Sequence, residues 1–295
     1  MPPTEPCLRP HARPRVMAVL VVYERDMRQV GAWPWIKAEL SGAGSSPANL
    51  ERVLVYDNSK NPNARDIVCK AGCDYFHDAH NGGTTAAYTR AVDIGLKAGS
   101  NWLLLLDQDT QLPATYLTAA AGAMTDSSAG RPSALVPWVI DGEEVVSPAR
   151  ITAFGSIRPL QRGEALHESR RLTAVASGAL IRVSVLGKLL PFPQELWLDY
   201  VDHWMFSQLN LRGERIVPFD EVLSHELSIT TPSQLSRRRL ISILDGEWYF
   251  RASLGPLARL LYPLRMLARM ARYALISPRL AGHMLKWMTR AGRSI

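Results

Sequence analysis

Three uninterrupted apolar runs, each the length of one strand, constrain this fold more than any other feature. Val16-Met17-Ala18-Val19-Leu20-Val21-Val22-Tyr23, Arg52-Val53-Leu54-Val55-Tyr56 and Trp102-Leu103-Leu104-Leu105-Leu106 show no alternation of polar and apolar positions. Strands of that kind are buried on both faces, the habit of parallel sheets covered by helices on each side. Helix-like segments separate them at 27–40, 63–71 and 84–98, and Asp74-Tyr75-Phe76 reads as a short additional strand. This alternation predicts an α/β fold with a doubly wound, mostly parallel sheet. Ligands of such sheets lie outside the carboxyl ends of the strands. Tyr23, Asp57 and Asp107 fall at three such ends.

Beyond Asp109 the pattern loosens. Residues 134–140 and 150–157 read as strands of a mixed region, and 177–182 leads into a short helix ending near Gly187. A helix is expected over 197–212 and a strand over 215–219. After Thr231 come basic helices broken at Gly255-Pro256 and Ser277-Pro278. The expected organisation is a flexible proline-rich lead at 1–15, an α/β domain at 16–230 and a basic amphipathic helical tail at 231–295. The lead has no apolar core of the kind a signal peptide needs. No apolar run approaches the roughly 18–20 residues of a spanning helix.

Charge is divided unevenly. Residues 231–295 hold twelve Lys and Arg against Asp245 and Glu247, a surplus of +10, while the preceding 230 residues hold 22 bases against 25 acids, or −3. In 257–275, apolar residues at 257, 260, 261, 264, 267, 271 and 274 share one helical face, and Arg265, Arg269 and Arg272 cluster within about 60° on another. That pattern suits a helix lying in an anionic membrane surface, and a second basic segment at 279–293 with Trp287 repeats it. Packing on the catalytic core with a basic solvent face is the other reading. No nucleic-acid-binding signature accompanies the charge, so nucleic acid is not an expected partner. A composition of 47% hydrophobic residues with 20 Gly and 20 Pro excludes a disordered, collagenous or coiled-coil chain. Cys7, Cys69 and Cys73 lack a metal-finger spacing and read as reduced thiols.

Asp107-Gln108-Asp109 is the strongest chemical signal. Two carboxylates on alternate positions leaving a buried strand can hold a hard divalent ion and a nucleotide ribose from one turn. Asp199 and Asp202, three apart at an expected helix start, project to one side. Such an acid can serve as a general base, or simply favour the helix N-terminus. Trp138, Trp197 and Trp204 could stack on a sugar, but core packing is the expected role. His77, His80, His167 and His203 have no distinguishing context.

The run 19–23, Asp57-Asn58-Ser59, Asn81-Gly82-Gly83, Asp107-Gln108-Asp109, Ser177-Gly178 and Asp199-Tyr200-Val201-Asp202 occur in an order and spacing that resembles family 2 glycosyltransferases, most closely the bacterial rhamnosyltransferases of surface polysaccharide synthesis. The resemblance covers about residues 16–230 and implies a GT-A fold. It implies an inverting transfer from a dTDP- or UDP-linked sugar, dTDP-rhamnose first, to a saccharide or lipid-linked saccharide. Tyr23, Asp57, Asn58, Asn81, Gly82, Gly83 and Asp107 would bind the nucleotide. Asp107, Asp109 and His225 would hold a divalent metal, Mg2+ or Mn2+. Asp202 would be the base, assisted by Asp199. The implied location is cytoplasmic, peripheral at the inner face of the cell membrane. Trp204 and Gln208 stand where relatives carry an acid and an arginine, which leaves open the donor identity. A galactofuranose-type UDP-sugar transferase, a nucleotidyltransferase and a non-catalytic partner of a polysaccharide assembly complex are the alternatives.

Overall fold

The computed structural model describes residues 13–42, 46–62, 64–126, 130–152, 154–164, 171–224 and 236–291. Its elements run β1 Arg15–Val22, α1 Trp33–Leu40, β2 Asn49–Asp57, α2 Arg65–Lys70, β3 Asp74–His77, α3 Gly83–Ala98, β4 Trp102–Asp107 and α4 Tyr116–Thr125. There follow β5 Ala134–Asp141, β6 Glu144–Ser147, β7 Ala149–Ile151, β8 Ile157–Pro159, β9 Leu172–Thr173, β10 Leu180–Arg182, α5 Val183–Gly187, α6 Val201–Leu211 and β11 Ile216–Ser224. Three helices end the chain: α7 Arg237–Ser253, α8 Pro256–Ile276 and α9 Pro278–Ala291.

The main sheet has the order β11-β5-β10-β4-β1-β2-β3, with β6 paired to β5. Strands β4, β1, β2 and β3 are mutually parallel, β11 is parallel to β5, and β10 runs antiparallel between β4 and β5. The apolar runs are buried on both faces for the reason their composition implies. Met17 and Val19 point toward α3, α5 and α6, while Val16, Ala18, Leu20 and Val22 point toward α1, α2 and α4. Each fully buried aliphatic side chain contributes about 1.5–3 kcal/mol of transfer free energy, so these two layers hold the sheet.

Register positions the site. Val22 of β1 pairs with Asp57 of β2, and Val21 pairs with Asp107 of β4. Three carboxyl ends therefore finish level. Strand β10 starts from the same edge, with Gly178 N donating to Leu105 O at 2.9 Å.

Several elements depart from expectation. The segment 27–40 is a 3-10 turn at Met27–Gln29, capped by Asp26, and then α1 opening at Trp33-Pro34. The break falls at Gly31, where a Cβ would sit 2.7 Å from Thr110 O. Residues 150–157 are not one strand: β7 and β8 pair antiparallel, and with β9 they form a separate three-stranded sheet. Strand β11 runs to Ser224, five residues past the expected end at 219. The expected helix at 197–212 begins only at Val201, because Tyr200 has a left-handed backbone (φ 66°). Asp199 thus precedes the helix and shares no helical face with Asp202.

The basic tail packs and exposes opposite faces. Leu240, Leu244, Tyr262, Met266, Leu280 and Met284 from α7, α8 and α9 form a core of their own. Glu247, buried in it, takes Arg269 at 2.6 and 3.0 Å and Arg251 at 3.0 Å. Its charge holds the Arg269 guanidinium well above its ordinary pKa despite burial that acts in the opposite sense. Arg269 therefore serves α7–α8 packing and is not a headgroup contact. Leu257, Leu260, Leu264 and Leu267 on the far side of α8 are exposed, Leu260 by 73%. Among the described residues no helix is long and apolar enough to cross a membrane. Cys69 and Cys73 are free thiols, the second pushed up to about 11 by burial first and neighbouring negative charge second.

Candidate active site

A cavity of about 710 Å3 opens at the level carboxyl ends of β1, β2 and β4. Tyr23, Asn58, Asn81, Gly83, Asp107, Asp109, Asp199 and Asp202 all line it. Residues separated by up to 179 positions in the chain are thereby gathered around one space.

Local chemistry explains how each is held. Asp107 ends β4, and its Oδ2 accepts from Ser177 Oγ at 2.7 Å at the entry to β10. Thr110 closes the turn that follows, its Oγ1 accepting from Asp107 N at 3.1 Å and its N donating to Asp107 O at 3.1 Å. Gln108 ties this turn to β1 by accepting from Tyr23 N at 2.9 Å. Asn58 follows β2 and accepts from Gly83 N at 3.2 Å. Asp78 accepts from Tyr56 Oη at 2.6 Å, Gly82 N at 2.9 Å and His80 N at 3.0 Å, and so fixes the Asn81-Gly82-Gly83 turn. Asn81 takes a positive φ of 52°, which its short amide side chain tolerates. Gly83, at φ 72°, is required by contact: any Cβ there would collide with the Trp197 carbonyl.

Two expected nucleotide ligands do not line the cavity. Asp57 is buried, with Oδ1 accepting from Ser59 N at 2.9 Å and Oδ2 from Tyr75 Oη at 2.6 Å. Both oxygens stabilise the end of β2, so the capping role of an Asx turn describes it. Gly82 sits behind the turn against Ala86 and Asp78. Asn58 and Gly83 are the members of those motifs that face the space.

The acids at the far wall differ from each other. Asp202 lies in the first turn of α6, half-buried, with Oδ1 accepting from His203 N at 2.7 Å. Asp199 is buried and engaged: Arg239 of α7 reaches Oδ1 at 2.9 Å and Ser242 Oγ donates to Oδ2 at 2.8 Å. Burial raises its pKa more than Arg239 and Ser242 lower it. Gly246 lets α7 approach this close, since a Cβ would lie 2.6 Å from Asp199 O. Asp199 is thus the docking point of the tail.

Several lining residues carry no signal in the sequence. The Tyr88 hydroxyl is buried in α3, lacks a hydrogen-bond partner among the described residues and lines the cavity. Burial, with the charges of Asp107 and Asp202, pushes its phenol well above the ordinary range, so it remains a neutral donor. His203 shares a 2.7 Å hydrogen bond with Thr173. Trp197, expected in the core, instead forms part of the wall and donates from Nε1 to Asn81 O at 2.6 Å. Trp204 does pack inside, edge-on to Phe192. Gln208 accepts from Arg212 at 3.0 Å, away from the lining.

His225 lies outside the described residues, and among those described no group of three His, Cys, Asp or Glu is placed to hold a metal. Asp107 and Asp109 alone fit an ion bound through one or two carboxylates whose shell is completed by substrate phosphate and water.

The sheet order, the level strand ends and the acidic turn after β4 define a fold of the GT-A type. No protein-family model and no curated protein sequence matches the chain. In structure it is similar to S. aureus TarS residues 1–349 in complex with UDP-GlcNAc, with 14% identity, 84% of this chain and 73% of that one covered, and a TM-score of 0.52. It is similar also to mannosyl-3-phosphoglycerate synthase from Rubrobacter xylanophilus, with 14% identity, 80% and 73% covered and a TM-score of 0.51. A third neighbour is glucosyl-3-phosphoglycerate synthase from Mycobacterium tuberculosis in complex with Mn2+, UDP and phosphoglyceric acid, with 13% identity, 79% and 78% covered and a TM-score of 0.52. At these identities the likeness shows the fold.

Proposed function

We propose that the protein is an inverting, metal-dependent glycosyltransferase that moves a sugar, rhamnose from dTDP-rhamnose in the first reading, to a saccharide acceptor. The observation that carries this is the meeting of Asp107, Asp109, Asn58 and Asn81 with Asp202 across one cavity. A nucleotide sits against the carboxyl ends of β1 and β2, where Tyr23, Asn58 and the Asn81–Gly83 turn offer backbone and amide contacts. Asp107 and Asp109 would hold a divalent ion, which would neutralise charge on the diphosphate. Asp202 accepts the proton of an acceptor hydroxyl as that oxygen bonds to the anomeric carbon from the opposite face. The bond from that carbon to the diphosphate breaks, and its electron pair leaves with the nucleotide. The orphaned Tyr88 hydroxyl, which lines the same cavity as Asp107 and Asp202, donates to the bound donor.

A UDP-sugar donor is the second reading, favoured by the uridine nucleotides in the TarS and glucosyl-3-phosphoglycerate synthase complexes. The exposed leucine row of α8 supports a further part of the proposal, a C-terminal tail that rests on an anionic bilayer and works on a lipid-linked acceptor. Thermal unfolding with dTDP, UDP and GDP, each with and without Mn2+, tests the donor site. Stabilisation by a pyrimidine nucleotide only when Mn2+ is present is expected from linkage. No nucleotide-dependent shift, or the same shift in an Asp109→Asn variant, would remove the reading.

A further inference from the structure

The cavity has two electrical poles. At one, Asp107 and Asp109 follow β4; at the other, Arg238, Arg239, Arg269 and Arg272 enter from α7 and α8. Two of these arginines are neutralised, Arg239 by Asp199 at 2.9 Å and Arg269 by Glu247 at 2.6 Å. Arg238 and Arg272 have no carboxylate partner among the described residues. Arg238 instead lies over an aromatic face, 4.6 Å from the centre of Trp197, while Arg272 is exposed on α8 with the Tyr273 ring centre 6.0 Å away.

Stacking on an aromatic face leaves the in-plane N–H donors of a guanidinium free for an anion. Trp197 is itself pinned, through Asn81 O and the contact at Gly83, to the turn on the nucleotide side. Arg238 is therefore placed relative to the donor half by a continuous chain of contacts. The surplus positive charge of the tail, read from the sequence as a membrane address, is in part turned inward.

We infer that Arg238 and Arg272 form a second anion subsite, which binds a phosphate or diphosphate carried by the acceptor. The donor's diphosphate is matched by the metal-binding acids at the opposite pole. A separate pair of cations from the tail suits a separate phosphate, and forked guanidinium donors match phosphate oxygens in pairs. The inference rests on the glycosyl-transfer reading only in calling this ligand the acceptor.

The test uses the full chain and three probes. Inorganic pyrophosphate is titrated calorimetrically in EDTA, and UDP or dTDP is titrated with Mn2+. Farnesyl diphosphate in phosphatidylcholine vesicles is compared with phosphatidylglycerol vesicles by co-sedimentation. Arg238→Gln and Arg272→Gln are each expected to weaken pyrophosphate binding about tenfold, with nucleotide binding retained; Asp109→Asn is expected to do the reverse. Farnesyl diphosphate is expected to recruit the wild type to neutral vesicles and not the double variant. Unchanged pyrophosphate binding in the double variant would overturn the inference. So would joint loss of pyrophosphate and nucleotide binding, which would place the arginines on the donor. Recruitment by phosphatidylglycerol and not by farnesyl diphosphate, lost in the double variant, would make them a headgroup surface and overturn it as well; phosphatidylglycerol recruitment that the double variant keeps belongs to the leucine row of α8 and leaves the subsite to the other two probes. If no nucleotide binds the wild type while the pyrophosphate results hold, the subsite stands and the donor reading falls.

Discussion

Arg239 of α7 holds Asp199 at 2.9 Å, two residues before the helix that carries Asp202, and so couples the C-terminal helices to that wall of the cavity. The Asp199 side chain is only 7% exposed, so loss of Arg239 leaves a nearly buried charge with Ser242 alone. Arg239→Ala should destabilise by about 2–3 kcal/mol at pH 7, below the full range for buried pairs because Arg239 is partly solvated. Burial has already raised the pKa of Asp199, and the substitution raises it further. The contribution of a raised acid is fully present below its unfolded pKa and is lost as pH rises through the folded one. Urea unfolding at pH 7 and 4.5 should therefore show the deficit shrinking at the lower pH; a pH-independent deficit would assign it to something else.

Asp78 has the opposite sign. Burial pushes its carboxyl up, and hydrogen bonds from Tyr56, Gly82 and His80 overcome that and hold it below the ordinary value. Its contribution is present above the unfolded pKa of about 3.9 and is lost as pH falls through the folded value. Asp78→Asn should cost about 1–2 kcal/mol at neutral pH and flatten the unfolding profile below pH 4. Unfolding titrations between pH 2 and 7 give the comparison.

Gly83→Ala should be far worse than Gly213→Ala, although both glycines have φ near 70°. Around Gly213 nothing lies within 4 Å of an added Cβ, so the cost is about 1 kcal/mol of backbone strain. At Gly83 the new methyl meets the Trp197 carbonyl and indole. A loss of more than about 3 kcal/mol, or an opened turn with nucleotide affinity down at least tenfold, is expected. Equal thermal shifts for the two variants would contradict the packing.

Tyr88→Phe separates a ligand contact from a structural one. The hydroxyl has no partner among the described residues, so its removal should leave stability unchanged or raise it by up to about 1 kcal/mol. If it donates to the donor sugar, kcat/KM should fall about tenfold. A stable variant with full turnover would remove Tyr88 from the site.

The sheet and the acidic turn at the end of β4 were legible because their signals are local. A strand buried on both faces shows as an unbroken apolar run, and Asp107-Gln108-Asp109 stands at the end of one. Helix α4 was not legible: Tyr-Leu-Thr-Ala-Ala-Ala-Gly-Ala-Met-Thr has no polar face to mark a period. The hairpin of β7 and β8 was read as one strand because Ala153 and Phe154 continue the apolar character of Ile151 between the two strands. The tail misled for a different reason. Arginines of the tail look alike in sequence, and the roles of Arg269 and Arg239 depend on Glu247 and Asp199, 22 and 40 residues away. Tyr88 was missed because a buried tyrosine on an amphipathic helix looks like core until its hydroxyl is seen to lack a partner.

Glycosyl transfer through Asp202 is tested most directly by nucleotide release. Wild type and Asp202→Asn are compared with dTDP-rhamnose and UDP-sugars, Mn2+ and lipid-linked saccharide acceptors. Wild type should consume one donor, and the variant should bind that donor within about threefold of wild type. Its turnover should fall by about 10²–10⁴-fold, the usual contribution of a positioned base. Turnover by Asp202→Asn at the wild-type rate, or no donor consumed by the wild type, would contradict the assignment.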